Sequence, residues 1–366
     1  MVADHIDDNW RHRLLATCAG ANRFRKRLRR GLRNTTVGTR WQIRRRRAGI
    51  RAAAAELRLL KSPGSARAAG SVVVVACMRD EALGLPDFLH HYRALGATGF
   101  ILIDNQSCDA TREIAAAAPD VELLAAEGSY AGRLFGMDWV MAAIARAGLG
   151  RWYLVADIDE LFVYDRCERF PLTELVALLE RQGQMSMPVL MVDMYGPLPI
   201  ERTFFMSGAS MIDTCPFFDA RYETDIEAPQ RWDARRRCIR YSGGPRLRMF
   251  STPERSFQGN LAKTPLMYWD ENCLYLEPHA AHPVSRNLAP LRGGLLHFKF
   301  FADFHDRALA AIEHGQHWND SSEYRHYLRV IDDNPGMTLL DGASLRYRGT
   351  RSLVDAGLMT ALPWRV

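Results

Sequence analysis

The chain has 366 residues, of which 48% are hydrophobic and 25% charged, enough for one large or two modest globular domains with a sizeable core. Its formal charge of +6 is unevenly distributed: residues 1–70 hold 18 of the 48 Lys and Arg and 4 of the 42 Asp and Glu. That segment therefore carries a net +14, which leaves −8 for residues 71–366. Because the body is mildly acidic, the basic average does not indicate a nucleic-acid-binding protein.

Cysteine usage and hydropathy bear on the cellular compartment. The seven cysteines show neither CxxC spacing nor zinc-ligand pairing, and an odd number without a disulfide framework is typical of a reducing compartment. No stretch approaches the roughly 18 apolar residues that span a bilayer. Arginines interrupt the early apolar runs where a secretory signal would lie. We therefore expect a cytoplasmic protein.

Residues 1–70 are predicted to form a basic arm that is partly disordered or helical. Arginine is frequent between residues 23 and 47, and the Ala-rich stretch 48–60 favours a helix. One interpretation is a solvated tail. Another is an arm held against the anionic inner face of a membrane, with Trp41 and Phe24 as apolar anchors. Nucleic-acid binding has the least support, because the body offers no matching groove signature.

From residue 71 the sequence alternates between apolar strands and amphipathic helices. Predicted strands lie at 71–76, 99–103, 121–124 and 152–156, and predicted helices at 85–95, 109–118 and 133–146. This alternation implies right-handed βαβ units, so we predict an α/β fold with a doubly wound, mostly parallel sheet. Neither GxGxxG nor GxxxxGK[ST] follows the first strand, which argues against a dinucleotide cofactor and an NTPase.

Polar clusters follow three of the predicted strands. They are Arg79-Asp80-Glu81, the segment 104–109, and Asp157-Ile158-Asp159-Glu160. In doubly wound sheets ligands bind beyond the carboxyl ends of the strands, so three such clusters indicate a site. Two carboxylates at i and i+2 after a strand can bind one Mg²⁺ or Mn²⁺ ion, which neutralises a diphosphate. The alternative is that Asp157 caps the next segment while Asp159 and Glu160 are solvated.

Four of these segments resemble the family 2-related glycosyltransferases. They are 76–82 (ACMRDEA), 88–96 (FLHHYRALG), 103–111 (IDNQSCDAT) and 152–162 (WYLVADIDELF). The resemblance covers residues 71–165 well and reaches more loosely to about residue 300. One departure from the family pattern is Asp80, where Asn is usual.

The resemblance implies a GT-A-type fold with a nucleotide-sugar-binding half at 71–165 and a loop-rich acceptor-binding half at 166–366. It further implies that Asp104 contacts the base or ribose, and that Glu81 and Arg79 belong to the nucleotide pocket. Asp157 and Asp159 would hold the metal and the diphosphate.

The second half contains further candidates. His297, in the apolar run 295–300, is either a packed core residue or a further metal ligand, a role that the resemblance supports. Family 2-like enzymes invert, which requires a carboxylate base on the acceptor side, and Asp193, Asp270 and Glu271 are candidates. Arg246 follows a Gly-Gly-Pro sequence that is either a hairpin turn or part of an anion site.

The predicted function is metal-dependent, inverting transfer of a sugar from a nucleotide-diphosphate sugar to a glycan or lipid-linked acceptor. A haloacid-dehalogenase-type phosphohydrolase also places DxD after a strand, but that family usually has Thr or Val where Glu160 stands, and its motif comes early in the domain. A nucleotidyltransferase would need a Gly-rich basic loop at 79–81, and a non-catalytic membrane-attached scaffold would bind donor without turnover.

Overall fold

The computed structural model describes residues 36–64, 70–226, 239–251, 259–314 and 321–364. The helices in these ranges are α1 (Thr36–Glu56), α2 (Leu85–Ala94), α3 (Thr111–Ala117), α4 (Met137–Ala147), α5 (Leu172–Arg181), α6 (Met211–Thr214), α7 (Gly244–Phe250), α8 (Phe304–His314), α9 (Ser322–Asp332) and α10 (Arg351–Asp355). The strands are β1 (Leu57–Lys61), β2 (Val72–Met78), β3 (Gly99–Asp104), β4 (Val121–Ala126), β5 (Arg151–Val155), β6 (Glu160–Val163), β7 (Ser186–Tyr195), β8 (Phe217–Phe218), β9 (Tyr222–Ile226), β10 (Ile239–Gly243), β11 (Ala262–Trp269), β12 (Leu274–Glu277), β13 (Ala280–His282), β14 (Gly293–His297) and β15 (Leu345–Arg346).

A mixed sheet forms the centre of the fold, with β9–β10 and β12–β13 as separate pairs. Its main path has the order β1-β4-β3-β2-β5-β11-β7-β14-β6, and β8 joins it at β7. The strands β2, β3, β4, β5, β7 and β14 run in one direction, whereas β1, β11 and β6 run in the other. The order reverses between β4-β3-β2 and β5, so the crevice beyond the carboxyl ends of β2 and β5 is the expected ligand site. The predicted α/β, doubly wound, mostly parallel fold is confirmed.

Helices cover both faces of this sheet. Val72 and Val74 of β2 pack in one hydrophobic cluster with α2 and α5, and Val73 and Val75 pack in a second cluster with α4. All four valines are fully buried. Alternate residues of one strand thus point to opposite cores, which is why the strand is an unbroken apolar run rather than an alternating one.

Helix α1 and strand β1 attach the end of the basic segment to the body. β1 pairs antiparallel with β4 at the edge of the sheet, and Arg46 of α1 forms an ion pair with Asp138 of α4. Glu56 accepts hydrogen bonds from Trp139 Nε1 (2.8 Å) and from the guanidinium of Arg133. The predicted boundary at residue 70 therefore does not separate this segment from the sheet. No helix of the described ranges is long and apolar enough to cross a bilayer.

The antiparallel strand β11 lies between β5 and β7. Because it runs against its neighbours, it begins at the edge where β5 ends: Leu266 pairs with Leu154, and Trp269 pairs with Arg151 at the start of β5. β11, β7 and β14 all come from residues after 165, so the two predicted halves share one sheet.

Helix α4 begins at Met137 instead of the predicted residue 133. Leu134, Phe135 and Gly136 all have positive φ, between 52° and 77°, and this left-handed backbone cannot continue into a right-handed helix. A Cβ at Gly136 would lie within 3.0 Å of Tyr130 and Cys77. The segment before α4 is consequently a strained turn at the carboxyl edge, a conformation that apolar periodicity does not reveal.

Replacing Glu56 with Gln should lower the free energy of unfolding by about 1–3 kcal/mol, because Arg133 loses its charged partner and Trp139 loses an ionised acceptor. Urea denaturation measures the change. Glu127→Gln is the matched control, since Glu127 is 74% exposed and only approaches Arg58 at 3.6 Å. Equal stability of the two variants would show that α1 is not anchored through Glu56.

Candidate active site

The loop after β2 is tied to the loop after β3 by side-chain hydrogen bonds. Asp80 has a φ of 55°, its Oδ1 accepts from Cys108 N (2.6 Å), and its N–H donates to Ser107 Oγ (3.0 Å). Glu81 N donates to Thr111 Oγ1 at 2.7 Å. Asp, like Asn, tolerates the left-handed conformation and supplies the acceptor oxygen, so the departure at residue 80 is accommodated.

Asp104, at the end of β3, is fully buried. Its Oδ2 accepts from Arg112 Nε at 2.5 Å, and its carboxylate lies 3.3 Å from the Ser107 N–H. The neighbouring Asn105 donates from Nδ2 to Ala126 O at 2.9 Å. Asp104 therefore holds the loop together through Arg112, whose side chain is 40% exposed and offers the loop's positive charge to solvent.

The acidic turn 157–160 crosses the carboxyl end of β5. The Asp157 N–H donates to Glu160 Oε2 at 3.1 Å, and the Glu160 N–H donates to Asp157 O at 3.0 Å. The side chain of Asp157 is 53% exposed and that of Asp159 is 28% exposed, whereas that of Glu160 is 2% exposed. Asp157 and Asp159 thus face outward from a turn that Glu160 stabilises from inside.

Lys263, the second residue of β11, neutralises this turn. Its Nζ lies 2.9 Å from Asp157 Oδ2 and 2.5 Å from Glu160 Oε1. Burial alone would lower the pKa of Lys263, but the two carboxylates raise it, so the ammonium stays charged. Burial raises the pKa of Glu160, and Lys263 opposes that shift.

His297, the last residue of β14, lies between two carboxylates. Its Nε2 is 3.4 Å from Asp159 Oδ2, and its Nδ1 is 2.7 Å from Asp193 Oδ1. Arg246 NH2 also contacts Asp193 Oδ1 at 2.6 Å and lies 2.8 Å from His297 Nδ1. When Nδ1 of His297 carries a proton and donates it to Asp193, Nδ1 cannot also accept a hydrogen bond from Arg246. The guanidinium then interacts with His297 through the Asp193 carboxylate, which both groups contact.

The pKa values follow from burial and these neighbours. Burial acts to lower the pKa of His297, but Asp159 and Asp193 outweigh it, and the pKa is raised. Burial acts to raise the pKa of Asp159 and of Asp193, but His297 and Arg246 respectively hold both below the usual range, Asp193 at about 2. A Cβ at Gly84 would lie 3.2 Å from Ile158 Cγ2 and 3.7 Å from Glu81 Oε2, so Glu81 lies beside the acidic turn. Burial and the charges of Asp159 and Asp157 raise the pKa of Glu81 to about 8.

The three candidate bases are not placed as predicted. Asp193 is fully buried and already bonded to Arg246 and His297, so its role is to position the imidazole. Asp270 and Glu271 follow the end of β11, which lies at the opposite edge of the sheet; Asp270 is paired there with Arg286. The assignment of a catalytic base to one of these three residues stays a prediction that this placement does not support. Arg79 is exposed and lies 3.6 Å from Asp80, on the outside of the first loop.

A cavity of about 120 Å³ opens beside Asp157 and Lys263. Its walls include Tyr130 and Phe135 from the left-handed turn before α4 and His279 after β12. This volume is below the roughly 300–1,000 Å³ of typical ligand pockets, so a larger ligand would also occupy the open surface above Asp159.

Asp157, Asp159 and His297 are the residues that would hold the predicted divalent cation. Within the described ranges no group of three His, Cys, Asp or Glu side chains is arranged to enclose a metal ion. Mg²⁺ and Mn²⁺ sites that serve phosphate substrates, however, use one or two carboxylates and take their other ligands from water and phosphate. Asp157 and Asp159 present outward oxygens, and the Nδ1 contact of His297 with Asp193 is the support that metal-binding histidines normally have.

Sequence reasoning brought Glu81, Asp157, Asp159 and His297 to one place but missed Lys263. A lysine at the start of an otherwise apolar strand was the available signal, since a buried ammonium needs a carboxylate partner. For Arg246 the sequence indicates only a hairpin turn or an anion site. Its pairing with Asp193 spans 53 residues, and local pattern does not show such a contact.

Stability should depend on pH through His297. Since its folded pKa is raised above the ordinary 6.5, its contribution is complete below pH 6.5 and is lost as the pH rises through the folded value. In EDTA, the free energy of unfolding should therefore fall as the pH rises above 6.5, and His297→Gln should flatten that slope in urea denaturation.

His279→Gln is the matched control for that measurement. The pKa of His279 is lowered to about 4, chiefly by burial, so its contribution is complete above pH 6.5 and is lost as the pH falls. Its variant should alter the slope only below pH 6.5. An unchanged slope above pH 6.5 in His297→Gln would refute the charged pairing of His297 with the two carboxylates.

No family model matches the chain, and no curated protein matches it. Among solved structures it is similar to a crystal structure of 4-diphosphocytidyl-2C-methyl-D-erythritol synthase, with 12% identity over 79% of this chain and 98% of that chain, at a TM-score of 0.24. It is also similar to a putative glucose-1-phosphate thymidylyltransferase from Bacillus anthracis in complex with a sucrose, with 8% identity over 78% of this chain and 93% of that chain, at a TM-score of 0.24. Similarity at this level does not establish a shared topology or activity.

Proposed function

We propose that this chain is a glycosyltransferase that transfers a sugar from a nucleotide-diphosphate sugar and depends on Mg²⁺ or Mn²⁺. The convergence of Glu81, Asp157, Asp159 and His297 at the carboxyl edge, beside the ammonium of Lys263, carries the proposal. These groups come from β2, β5, β14 and β11, at the edge where doubly wound sheets bind ligands. The resemblance of residues 71–165 to family 2-related glycosyltransferases supplies the reaction.

Asp157 and Asp159 would hold the cation, and His297 would offer Nε2 to the same ion. The cation would neutralise the diphosphate leaving group. Asp193 keeps the Nδ1 proton of His297 in place, so that Nε2 faces Asp159. Glu160, buried behind the turn, fixes the backbone from which both aspartates project.

Nucleotide recognition would use the loops after β2 and β3. Asp104 is buried and paired with Arg112, so its carboxylate is not free to bind a base or ribose directly. A base or ribose would instead contact the exposed part of this loop. Glu81 and Arg79 flank it, and Tyr130 and Phe135 form aromatic walls of the cavity that suit a flat ring. None of the three candidate bases is placed to serve an inverting transfer, because Asp193 is bonded to Arg246 and His297, and Asp270 and Glu271 lie at the other edge.

The phosphohydrolase alternative has one supporting contact, the ion pair of Lys263 with Asp157, since a cation beside the first Asp of DxD would also suit an aspartyl nucleophile. Asp159, however, lies against His297 and has a lowered pKa, which disfavours its use as the protonated acid of such an enzyme. Phosphate release from sugar phosphates without acceptor would favour the phosphohydrolase. Retained donor binding without turnover would favour the non-catalytic scaffold.

Asp157→Asn and Asp159→Asn should each reduce sugar transfer about 10²–10³-fold, equivalent to about 3–4 kcal/mol at the transition state, because the metal loses a charged ligand. Donor consumption with Mn²⁺ measures the effect, and EDTA should abolish turnover of the wild type. Asp270→Asn, at the opposite edge of the sheet, is the control and should retain activity. Full activity in EDTA would end the metal proposal.

We further propose that helix α1 holds the protein against an anionic lipid surface, where a lipid-linked acceptor would be found. Arg40, Arg44 and Arg51 are exposed and recur at i, i+4 and i+11, so they share one face of the helix. Trp41 is 60% exposed beside them, with Arg45 over its ring. An aromatic side chain among arginines suits the interface of an anionic bilayer. Phe24, the other predicted anchor, lies outside the described residues.

Neutralising Arg40, Arg44 and Arg51 to Gln should weaken partition onto phosphatidylglycerol vesicles about 10²-fold, from about 1 kcal/mol for each basic residue near the surface. Co-sedimentation at low and high salt measures it. The matched control neutralises the exposed Arg346, Arg348 and Arg351 near the other end of the chain. An equal loss in both variants, or preferential capture of RNA, would refute a lipid surface on α1.

A further inference from the structure

Lys263 occupies the position where the cation of the proposed site would be expected to act. β11 runs antiparallel to β5 and therefore places its second residue over the end of the acidic turn. The Nζ lies within 3 Å of both Asp157 and Glu160, and the Lys263 side chain is only 12% exposed. The Lys263 side chain has little conformational freedom, because its backbone belongs to β11 and its ammonium is bonded to two carboxylates.

The two carboxylates bound to Lys263 differ in their surroundings. Glu160 is 2% exposed, and an unpaired charge there would be costly, so its contact with the ammonium is strongly favoured. Asp157 is 53% exposed, and water can replace the ammonium at its carboxylate with little loss. Of the two contacts, the one with Asp157 is therefore the exchangeable one.

We propose that Lys263 is a resident counter-ion that competes with a divalent cation for Asp157 and, once released, binds the diphosphate of the nucleotide. The ammonium stays bonded to Glu160 throughout and turns the N–H groups freed from Asp157 toward the phosphate oxygens. The inference rests on the proposed function and assigns it a diphosphate-binding residue.

After it leaves Asp157, the Lys263 ammonium would point into the cavity beside the acidic turn. Lys263 and Asp157 share the wall of this cavity, together with Tyr130 and His279. The pKa of His279 is lowered to about 4, so its imidazole is neutral at pH 7 and does not repel a cation. Among the described residues that line the cavity, Lys263 is the only lysine or arginine. A phosphate group that enters beside Asp157 would therefore find its positive partner in the Lys263 ammonium.

A purely structural salt bridge predicts a different result. If Lys263 only compensates Glu160, its removal destabilises the fold and weakens every ligand together. If it competes, its removal strengthens binding of the bare cation and weakens binding of diphosphate. The opposite signs of these two effects distinguish the roles.

The test uses the full chain and two probes, Mn²⁺ alone and inorganic pyrophosphate with Mn²⁺. Electron paramagnetic resonance of free Mn²⁺ and titration calorimetry give the two affinities. Lys263→Met removes the ammonium. Because that variant leaves Glu160 as an uncompensated buried charge, the double variant Lys263→Met with Glu160→Gln preserves the fold, and Glu160→Gln alone is its reference.

We expect the double variant to bind Mn²⁺ at least 3-fold more tightly than Glu160→Gln and to bind pyrophosphate at least 10-fold more weakly. Lys263→Arg should restore pyrophosphate binding. Unchanged or weaker Mn²⁺ affinity in the double variant would overturn the competition, and unchanged pyrophosphate affinity would overturn the diphosphate role; either result leaves the proposed function standing. Wild-type protein that binds neither probe would overturn both proposals.

Discussion

The separation of like charges at one edge of the sheet is the constraint on which the candidate site depends. Asp157, Asp159 and Glu160 meet there, and their mutual repulsion is offset by Lys263 and by His297, which Arg246 supports through Asp193. Each cation reaches its partner from a different strand or helix. The acidic turn is thus stable only in the folded chain, since a local segment of 157–160 has no positive group of its own.

The same arrangement divides the carboxylates by their surroundings. Glu160 and Asp193 are buried and hold other groups in place, whereas the side chains of Asp157 and Asp159 are partly exposed to solvent. A residue type alone does not separate these roles. The roles differ because Glu160 lies on the inner side of the turn and Asp193 lies inside β7, whereas Asp157 and Asp159 lie on the outer side of the turn.

Much of the fold was readable from sequence because its signals are local. The valine run of β2, the helix 85–95 and the strand before Asp157 all follow from periodicity and composition, and the structure has them. The placement of Asp270 and Glu271 was not readable, because it depends on β11 running antiparallel, which is a pairing between distant segments. The late start of α4 was missed for a different reason: Leu134 and Phe135 adopt a backbone that their residue types disfavour.

The proposed site was predicted in the part that resembles known sequences and missed where tertiary contacts supply it. Glu81 follows β2 and the aspartates follow β5, two strands that pair in the sheet and belong to the alternating pattern readable from residue 71. Lys263 and Arg246 come from segments about 100 and 50 residues from their partners. A contact of that range leaves no spacing pattern in a single sequence.

The position of β11 between β5 and β7 also determines whether either half of the chain can fold alone. Cutting the chain after residue 165 would leave β5 with an open hydrogen-bonding edge where β11 belongs, and would expose the buried faces of Leu154 and Tyr153. The two halves are therefore not independent folding units. Either half alone should aggregate through that open edge rather than fold.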